Sequence, residues 1–184
     1  MAHVPPFDYS RAEIKEELDR IRHPMRIIVD RAKNPFNIGA IIRTAHSFLP
    51  KEIILVGTEP WYERAAMGMH RYENIREIES VEVLVELVKA EGWKLSCFEK
   101  DEASVGLWDA ALPEDAVLVF GNEDSGVDPR LVEIAHETIA IPMYGINHSY
   151  PISVAAGMGL AEWARRRYQA GRRVIPSPIS AKNG

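Results

Sequence analysis

Cysteine is almost missing: Cys97 is the single one in 184 residues. It cannot form a disulfide within the chain, and no cysteine cluster can hold a metal around it. A reducing, cytoplasmic setting is the expectation that follows. Long apolar runs are missing too, and none approaches the length needed to cross a bilayer. The opening MAHVPPFDY has neither a basic start nor an apolar stretch, so it does not read as a signal peptide. A basic excess is absent. The formal net charge is −5, which argues against indiscriminate coating of nucleic acid.

Familiar site motifs are equally scarce. No G-x-G-x-x-G follows the first strand, and there is no P-loop and no H-E-x-x-H. Ser125 stands in EDSGV, which is not a nucleophile elbow. The histidines lack metal-ligand spacing. Glu123, Asp124 and Asp128 could gather a Mg²⁺, but two acids in a turn and one helix cap serve capping and solvation more simply, so no metal is expected.

What is present is an ordinary soluble balance, 46% hydrophobic and 27% charged. The length suits one domain, and such a chain buries about 70% of its unfolded surface. Basic residues gather locally at Arg31, Lys33, Arg43 and His46, at Arg64, His70, Arg71 and Arg76, and at Arg165, Arg166, Arg167, Arg172 and Arg173. Such runs are usually solvated faces, but they leave room for a local nucleic-acid site.

Taken in order, Ser10-Arg11-Ala12-Glu13 has the pattern of a capping box, and a helix to about Arg22 follows, with Ile14, Leu18 and Ile21 at helical spacing to dock one face. MRIIVD (25–30) reads as a buried strand. Asn34-Pro35 marks a turn, and Asn37 is positioned to cap a helix to about Leu49, with Gly39 and Arg43 four residues apart on one face. A second strand is expected at 52–56. Residues 60–72 mix basic and aromatic side chains, which suits either a nucleic-acid contact or a polar surface loop. Residues 81–91 predict an amphipathic helix with Val81, Leu84, Val85 and Val88 inward, ended by Gly92. Strands at 93–98, 116–120 and 138–141, a helical turn at 107–112 and a short helix at 128–135 complete the reading. Alternating strands and helices argue an α/β fold with a mostly parallel sheet flanked by helices. Ligands bind beyond the C-terminal ends of such strands, where the loops 34–43, 121–126 and 142–149 lie.

The most unusual stretch is 141–167, IPMYGINHSYPISVAAGMGLAEWARRR. A strand end passes through a polar loop into a helix of small residues and leaves on three arginines. Gly157 and Gly159 each cost about 1 kcal/mol in a helix interior, so close approach of another backbone or a ligand is expected there.

Three segments now combine. Asn37-Ile-Gly39-x-x-x-Arg43-Thr44-Ala45, then Val119-Phe-Gly-Asn-Glu123 with Gly126, then Ile141-Pro-Met143 with Ser149 and Ser153-Val-Ala155 resemble, in order, the three motifs of the SpoU/TrmH family of RNA 2′-O-ribose methyltransferases, of the SPOUT class. The resemblance covers roughly 25–167. It implies a C-terminal deep trefoil knot, S-adenosyl-L-methionine as cofactor, RNA as substrate and a homodimer. It divides the chain into an N-terminal helical extension (1–24), a knotted methyltransferase domain (25–170) and a basic, mobile tail (171–184). It implies cofactor contacts at Phe98, Glu99, Gly121, Asn122, Ile141, Met143, Ser149 and Tyr150, and catalytic roles for Asn37, Arg43, Glu123 and Ser149. Related proteins suggest that the first-motif arginine contacts the ribose or its phosphate, or acts as base. An arginine side chain stays protonated in proteins, so a phosphate clamp and oxyanion stabiliser is the preferred role for Arg43. Asn37 would orient it, and Glu123 would organise the arginine or the 2′-hydroxyl. The compact form favours tRNA over rRNA.

One position departs from the family. Its usual S-L-N is Ser149-Tyr150-Pro151 here, and proline offers neither an amide side chain nor an N–H. Either Asn147 or His148 substitutes, the substrate geometry differs, or the enzyme is weaker. The departure keeps open a knotted RNA-binding protein without methyl transfer. A Rossmann-like enzyme for a small molecule is a third class, disfavoured by the missing glycine motif.

Overall fold

The computed structural model describes residues 9–30, 33–146 and 148–167. The expected tail, Arg31, Arg172, Arg173 and Asn147 lie outside them. Helix α1 (Arg11–Asp19) opens on the expected capping box: Ser10 Oγ accepts from Glu13 N–H, and the Glu13 carboxylate accepts from Ser10 N–H at 2.7 Å. Ile14, Leu18 and Ile21 are only half-buried, so the docking stripe is shallow. Strand β1 (His23–Asp30), helix α2 (Pro35–His46), strand β2 (Pro50–Val56), strand β3 (Ile75–Ile78), helix α3 (Val81–Glu91), strand β4 (Leu95–Phe98), strand β5 (Val105–Gly106), strand β6 (Val117–Phe120), helix α4 (Pro129–Glu133), strand β7 (Glu137–Ala140) and helix α5 (Ile152–Arg167) follow.

The seven strands form one sheet in the order β3-β2-β1-β6-β4-β7-β5, and every neighbouring pair is parallel. Alternation along each strand splits the core in two. Ile27, Val29, Leu118 and Phe120 pack with α2 and α5, whereas Ile28, Val117, Val119 and Cys97 pack with α3 and α4. Register aligns Val29 with Phe120, Phe120 with Phe98, and Phe98 with Ile139. The loops after β1, β4, β6 and β7 therefore leave the sheet at one level, and the site is built there.

Several features differ from the sequence reading, which also lacked strand β3. Asn34, not Asn37, caps α2, its side chain accepting from Phe36 N–H at 3.0 Å. Pro35 decides this, because proline suits the first helical position and needs no N–H partner there. The expected helical turn lies at 107–109, with Gly106 O accepting from Asp109 and Ala110 N–H, and it follows a two-residue edge strand, β5, that the sequence reading lacked. Residues 60–72 hold two 3-10 turns, Glu63–Ala66 and Met69–Arg71, and the first packs on α2 where Gly39 leaves room; a Cβ there would lie 2.7 Å from Tyr62 O and Ala65 Cβ.

Among the described residues several basic side chains turn out to be structural. Arg22, buried, pairs with the fully buried Glu73 carboxylate at 2.7 Å, and His46 Nδ1 lies 2.6 Å from the same carboxylate. Arg76 pairs with Glu52 at 2.8 Å. Arg166 pairs with Glu162 and donates to the carbonyls of Leu107 and Trp108 at 3.0 and 3.1 Å, while Arg167 stacks on Trp163 and donates to Leu112 O at 2.7 Å. Arg166 and Arg167 thus clamp residues 107–112. Among the described residues no helix is long and apolar enough to cross a membrane.

The glycines of α5 separate into two cases. A Cβ on Gly159 would lie 2.6 Å from the Phe98 ring and 3.2 Å from that of Phe120, two rings stacked 4.6 Å apart. Gly159 is there so that α5 can lie on these rings. A Cβ on Gly157 would meet only the Thr44 methyl at 3.9 Å, an ordinary contact, so packing within the chain does not require it. Gly159→Ala is expected to destabilise the fold by about 1–3 kcal/mol through overpacking, read as a lowered midpoint in urea with an unchanged slope. An unchanged midpoint would contradict the packing argument.

Candidate active site

Beyond the C-terminal ends of β4, β6 and β7 lies a cleft of about 740 Å³. Its floor is apolar: Phe98, Phe120, Ile139, Ile141, Met143, Ile152 and Ala155. Its rim carries four acids, Glu99, Asp101, Glu123 and Asp124, against one lysine, Lys100. All eight residues that the sequence suggested for the cofactor, Phe98, Glu99, Gly121, Asn122, Ile141, Met143, Ser149 and Tyr150, line this one cleft. So do Glu123 and Ser149 of the catalytic set, whereas Asn37 and Arg43 are not among its lining residues.

The loop after β6 is wound tightly. Asn122 and Gly126 exchange two backbone hydrogen bonds of 2.9 Å, and the Asn122 side chain accepts from Asp124 N–H at 2.8 Å. Gly126 has φ +71°, which glycine adopts without strain. A Cβ on Gly121 would overlap the Gly126 carbonyl carbon and the Val127 nitrogen. Neighbouring carboxylates secure the loop from outside: Glu99 accepts from Val127 N–H and Lys100 N–H, both at 2.8 Å, and buried Asp30 accepts from Asp128 N–H at 2.9 Å. Glu99 is thus a wall of the cleft whose charge is already engaged with backbone. Asp30 was legible only as the last residue of a strand, and nothing in its local pattern marks it as a loop anchor. The loop after β7 is closed by Tyr150, whose hydroxyl donates to Pro142 O at 3.0 Å.

Asn37 connects these loops to α2. Its Nδ2 donates to Glu123 Oε1 at 2.7 Å, its Oδ1 accepts from Ser153 Oγ at 3.1 Å, and Lys33 N–H donates to Glu123 Oε2 at 2.9 Å. Burial pushes the Glu123 carboxyl up, but the Asn37 amide and the backbone N–H groups of Glu123, Lys33 and Asn34 together outweigh it and hold the group below the ordinary carboxylate value. Glu123 is therefore an ionised acceptor. These bonds contribute stability fully present above the unfolded pKa, and the contribution is lost as pH falls through the lower, folded value.

Arg43 stands apart. It is exposed on α2 and makes no hydrogen bond or ion pair among the described residues. Pro151 is exposed just before α5, and its carbonyl accepts from Val154 and Ala155 N–H. The three acids considered for a metal go to different partners, Glu123 to Asn37, Asp124 to Lys33 and Asp128 to Arg130. Burial, then the charges of Glu99 and Asp30, push the Cys97 thiol up to about 12, so it is no nucleophile. Sequence reasoning missed Lys33, whose contribution is a backbone N–H, and assigned no role to Ser153.

A family model described as the SpoU rRNA methylase family matches residues 24–161. A tRNA (guanosine(18)-2′-O)-methyltransferase of Aquifex aeolicus is 31% identical over 169 residues, 89% of this chain and 80% of that protein. The crystal structure of the A. aeolicus TrmH/SpoU tRNA modifying enzyme superposes with a TM-score of 0.76 at 29% identity, covering 94% of this chain and 91% of that one. An AdoMet-bound rRNA methyltransferase from Sinorhizobium meliloti gives 0.73 at 30% identity, covering 83% of this chain and 61% of that one.

Proposed function

The chain belongs to the SpoU rRNA methylase family, and from that premise we propose that it is an S-adenosylmethionine-dependent methyltransferase acting on a ribose 2′-hydroxyl of tRNA. The observation that carries the reading is the single cleft in which the second- and third-motif residues meet. Its chemistry suits the cofactor. The apolar floor of stacked Phe98 and Phe120 with Ile139 and Ile141 accommodates an adenine ring, and the acidic rim favours a sulfonium and an ammonium group. Phe98, Glu99, Gly121, Asn122, Ile141, Met143, Ser149 and Tyr150 would hold it. The bound cofactor supplies an electrophilic methyl group.

The remaining work falls to this chain's own residues. Arg43, exposed and without a hydrogen bond or ion pair among the described residues, clamps an RNA phosphate and stabilises negative charge on the 2′-oxygen. Asn37 and Glu123 fix the edge of the cleft next to that oxygen, and Ser149 hydrogen-bonds within it. Most of the rate enhancement comes from orientation of the two reactants. The substrate is read as tRNA because the A. aeolicus relative, matched along most of both chains, is a tRNA enzyme.

The reading extends to assembly and topology. After β7, at the far side of β4, α5 returns across Phe98 and Phe120 to reach Asn37 on α2, a path that supports a trefoil knot in the C-terminal part of a 25–170 domain. Phe36, Met67 and Val154 are exposed, and Gly157 lies one helical step from Val154 on the same face. These residues support a homodimer that covers the α2–α5 surface. A protonated, buried Cys97 accords with a cytoplasmic protein. Titration calorimetry with S-adenosylmethionine tests the reading: one molecule per chain is expected, and a folded protein that binds none, yet binds RNA, would instead be an RNA-binding module.

A further inference from the structure

Resting on the methyltransferase reading, we propose that Ser153 is a positioning residue: by donating to Asn37 Oδ1 it holds the far end of the Asn37 amide, so that Nδ2 stays aimed at Glu123. The two ends of an asparagine amide have nearly the same shape, so their partners alone decide the orientation. A carboxylate can only accept, and Glu123 therefore requires Asn37 Nδ2 on its side, at 2.7 Å. That leaves Oδ1 facing α5, where it needs a donor. Pro151, at the start of α5, has none to give. Ser153, two residues on, donates its hydroxyl at 3.1 Å. The chain of donors then runs in one direction, from Ser153 through Asn37 to Glu123, while Lys33 N–H holds the second carboxylate oxygen at 2.9 Å.

The consequence of losing the hydroxyl follows from the same chemistry. Without it, Oδ1 loses its partner on α5, and the amide is held only through Nδ2. It can then swing away from the line to Glu123, so the edge of the cleft loosens. The bond also spans 116 residues of sequence and joins α5 to the first turns of α2. Ser153 is not among the residues lining the cleft, so its influence reaches the reaction only through Asn37 and Glu123. Lys33, which feels the Glu123 charge, pairs with Asp124 on the loop of Glu123, and neither is bonded to Ser153.

The test compares Ser153→Ala and Ser153→Thr with the unaltered full-length protein. Titration of the Glu123 carboxyl by ¹³C NMR reads the positioning without any need for activity. Methyl transfer to unmodified tRNA transcripts reads its consequence. The alanine variant is expected to titrate Glu123 closer to the ordinary carboxylate value and to lose about tenfold in kcat, with KM for the transcripts unchanged. The threonine variant, which keeps the hydroxyl, is expected to restore both. An alanine variant whose Glu123 titrates as in the unaltered protein overturns the proposal, and so does a threonine variant that fails to restore it. If the unaltered protein transfers no methyl to any transcript, the methyltransferase reading fails, and the Glu123 titration still decides the role of Ser153.

Discussion

Replacing Arg43 by alanine is expected to lower methyl transfer by about a hundredfold or more while leaving S-adenosylmethionine affinity within about twofold. The split follows from where the residue sits. Arg43 is on α2, outside the cleft lining, exposed, and free of hydrogen bonds and ion pairs among the described residues. The other basic residues near it are otherwise occupied: Lys33 pairs with Asp124, and His46 with Glu73. An unengaged guanidinium six residues along the same helix from Asn37 can donate to an RNA phosphate in two parallel hydrogen bonds. It can also stabilise charge on the ribose oxygen as the methyl is transferred, and removing one such donor costs roughly 10²–10³ in rate. Lysine keeps the charge but not the planar fork, so Arg43→Lys should recover only part of the loss. Single-turnover rates with saturating tRNA transcripts, alongside calorimetry of the cofactor, check both halves. Full activity in the alanine variant would reject the assignment. A parallel fall in cofactor affinity would place Arg43 in the wrong role.

The second large effect is expected at Gly121. Gly121→Ala should weaken S-adenosylmethionine binding by about a hundredfold or more, the equivalent of the roughly 3 kcal/mol at the upper end of overpacking costs. A β-carbon there would overlap backbone atoms of Gly126 and Val127, not a side chain that could rotate away. The loop cannot yield easily, because Asn122 and Gly126 are bound to each other twice and Glu99 and Asp30 hold the backbone beyond them. Relief must come by opening the turn, which removes one wall of the cleft. Calorimetry with the cofactor, and a thermal melt to separate local from global effects, check it. Wild-type affinity in a folded variant would show that this turn does not shape the cofactor site.

How far the sequence carried depended on the physics at each position. Strands β1, β2, β4 and β6 were legible because they are largely buried, mostly apolar runs, whereas β7 has one buried residue, Ile139. Strand β3 was not, since Ile75–Ile78 carries two adjacent exposed charges, Arg76 and Glu77, between its isoleucines at the sheet edge, and β5 has only two residues. Strand order is set by long-range pairing and leaves no local pattern. Asn37 was read as the cap of α2, but Pro35 takes the first helical position and leaves Asn34 as the cap.

The site was legible to a similar degree. Motif resemblance brought eight candidate residues to a single cleft. It gave no hint that Asn37 and Glu123, 86 residues apart, are in contact. The three closing arginines read as a basic surface, yet Arg166 and Arg167 serve a turn, because a run of charge says nothing about carbonyl groups brought near it by folding. Gly157 and Gly159 looked equivalent, and only the positions of Phe98 and Phe120 separate them.

The central claim is methyl transfer to a ribose oxygen. Its most direct test is mass spectrometry of nucleosides from unmodified tRNA incubated with the protein and isotopically labelled S-adenosylmethionine. The expected result is one labelled methyl carried on the ribose of a single nucleoside. Label on a base, or no label on any tRNA from a protein that is folded and binds the cofactor, would contradict the account.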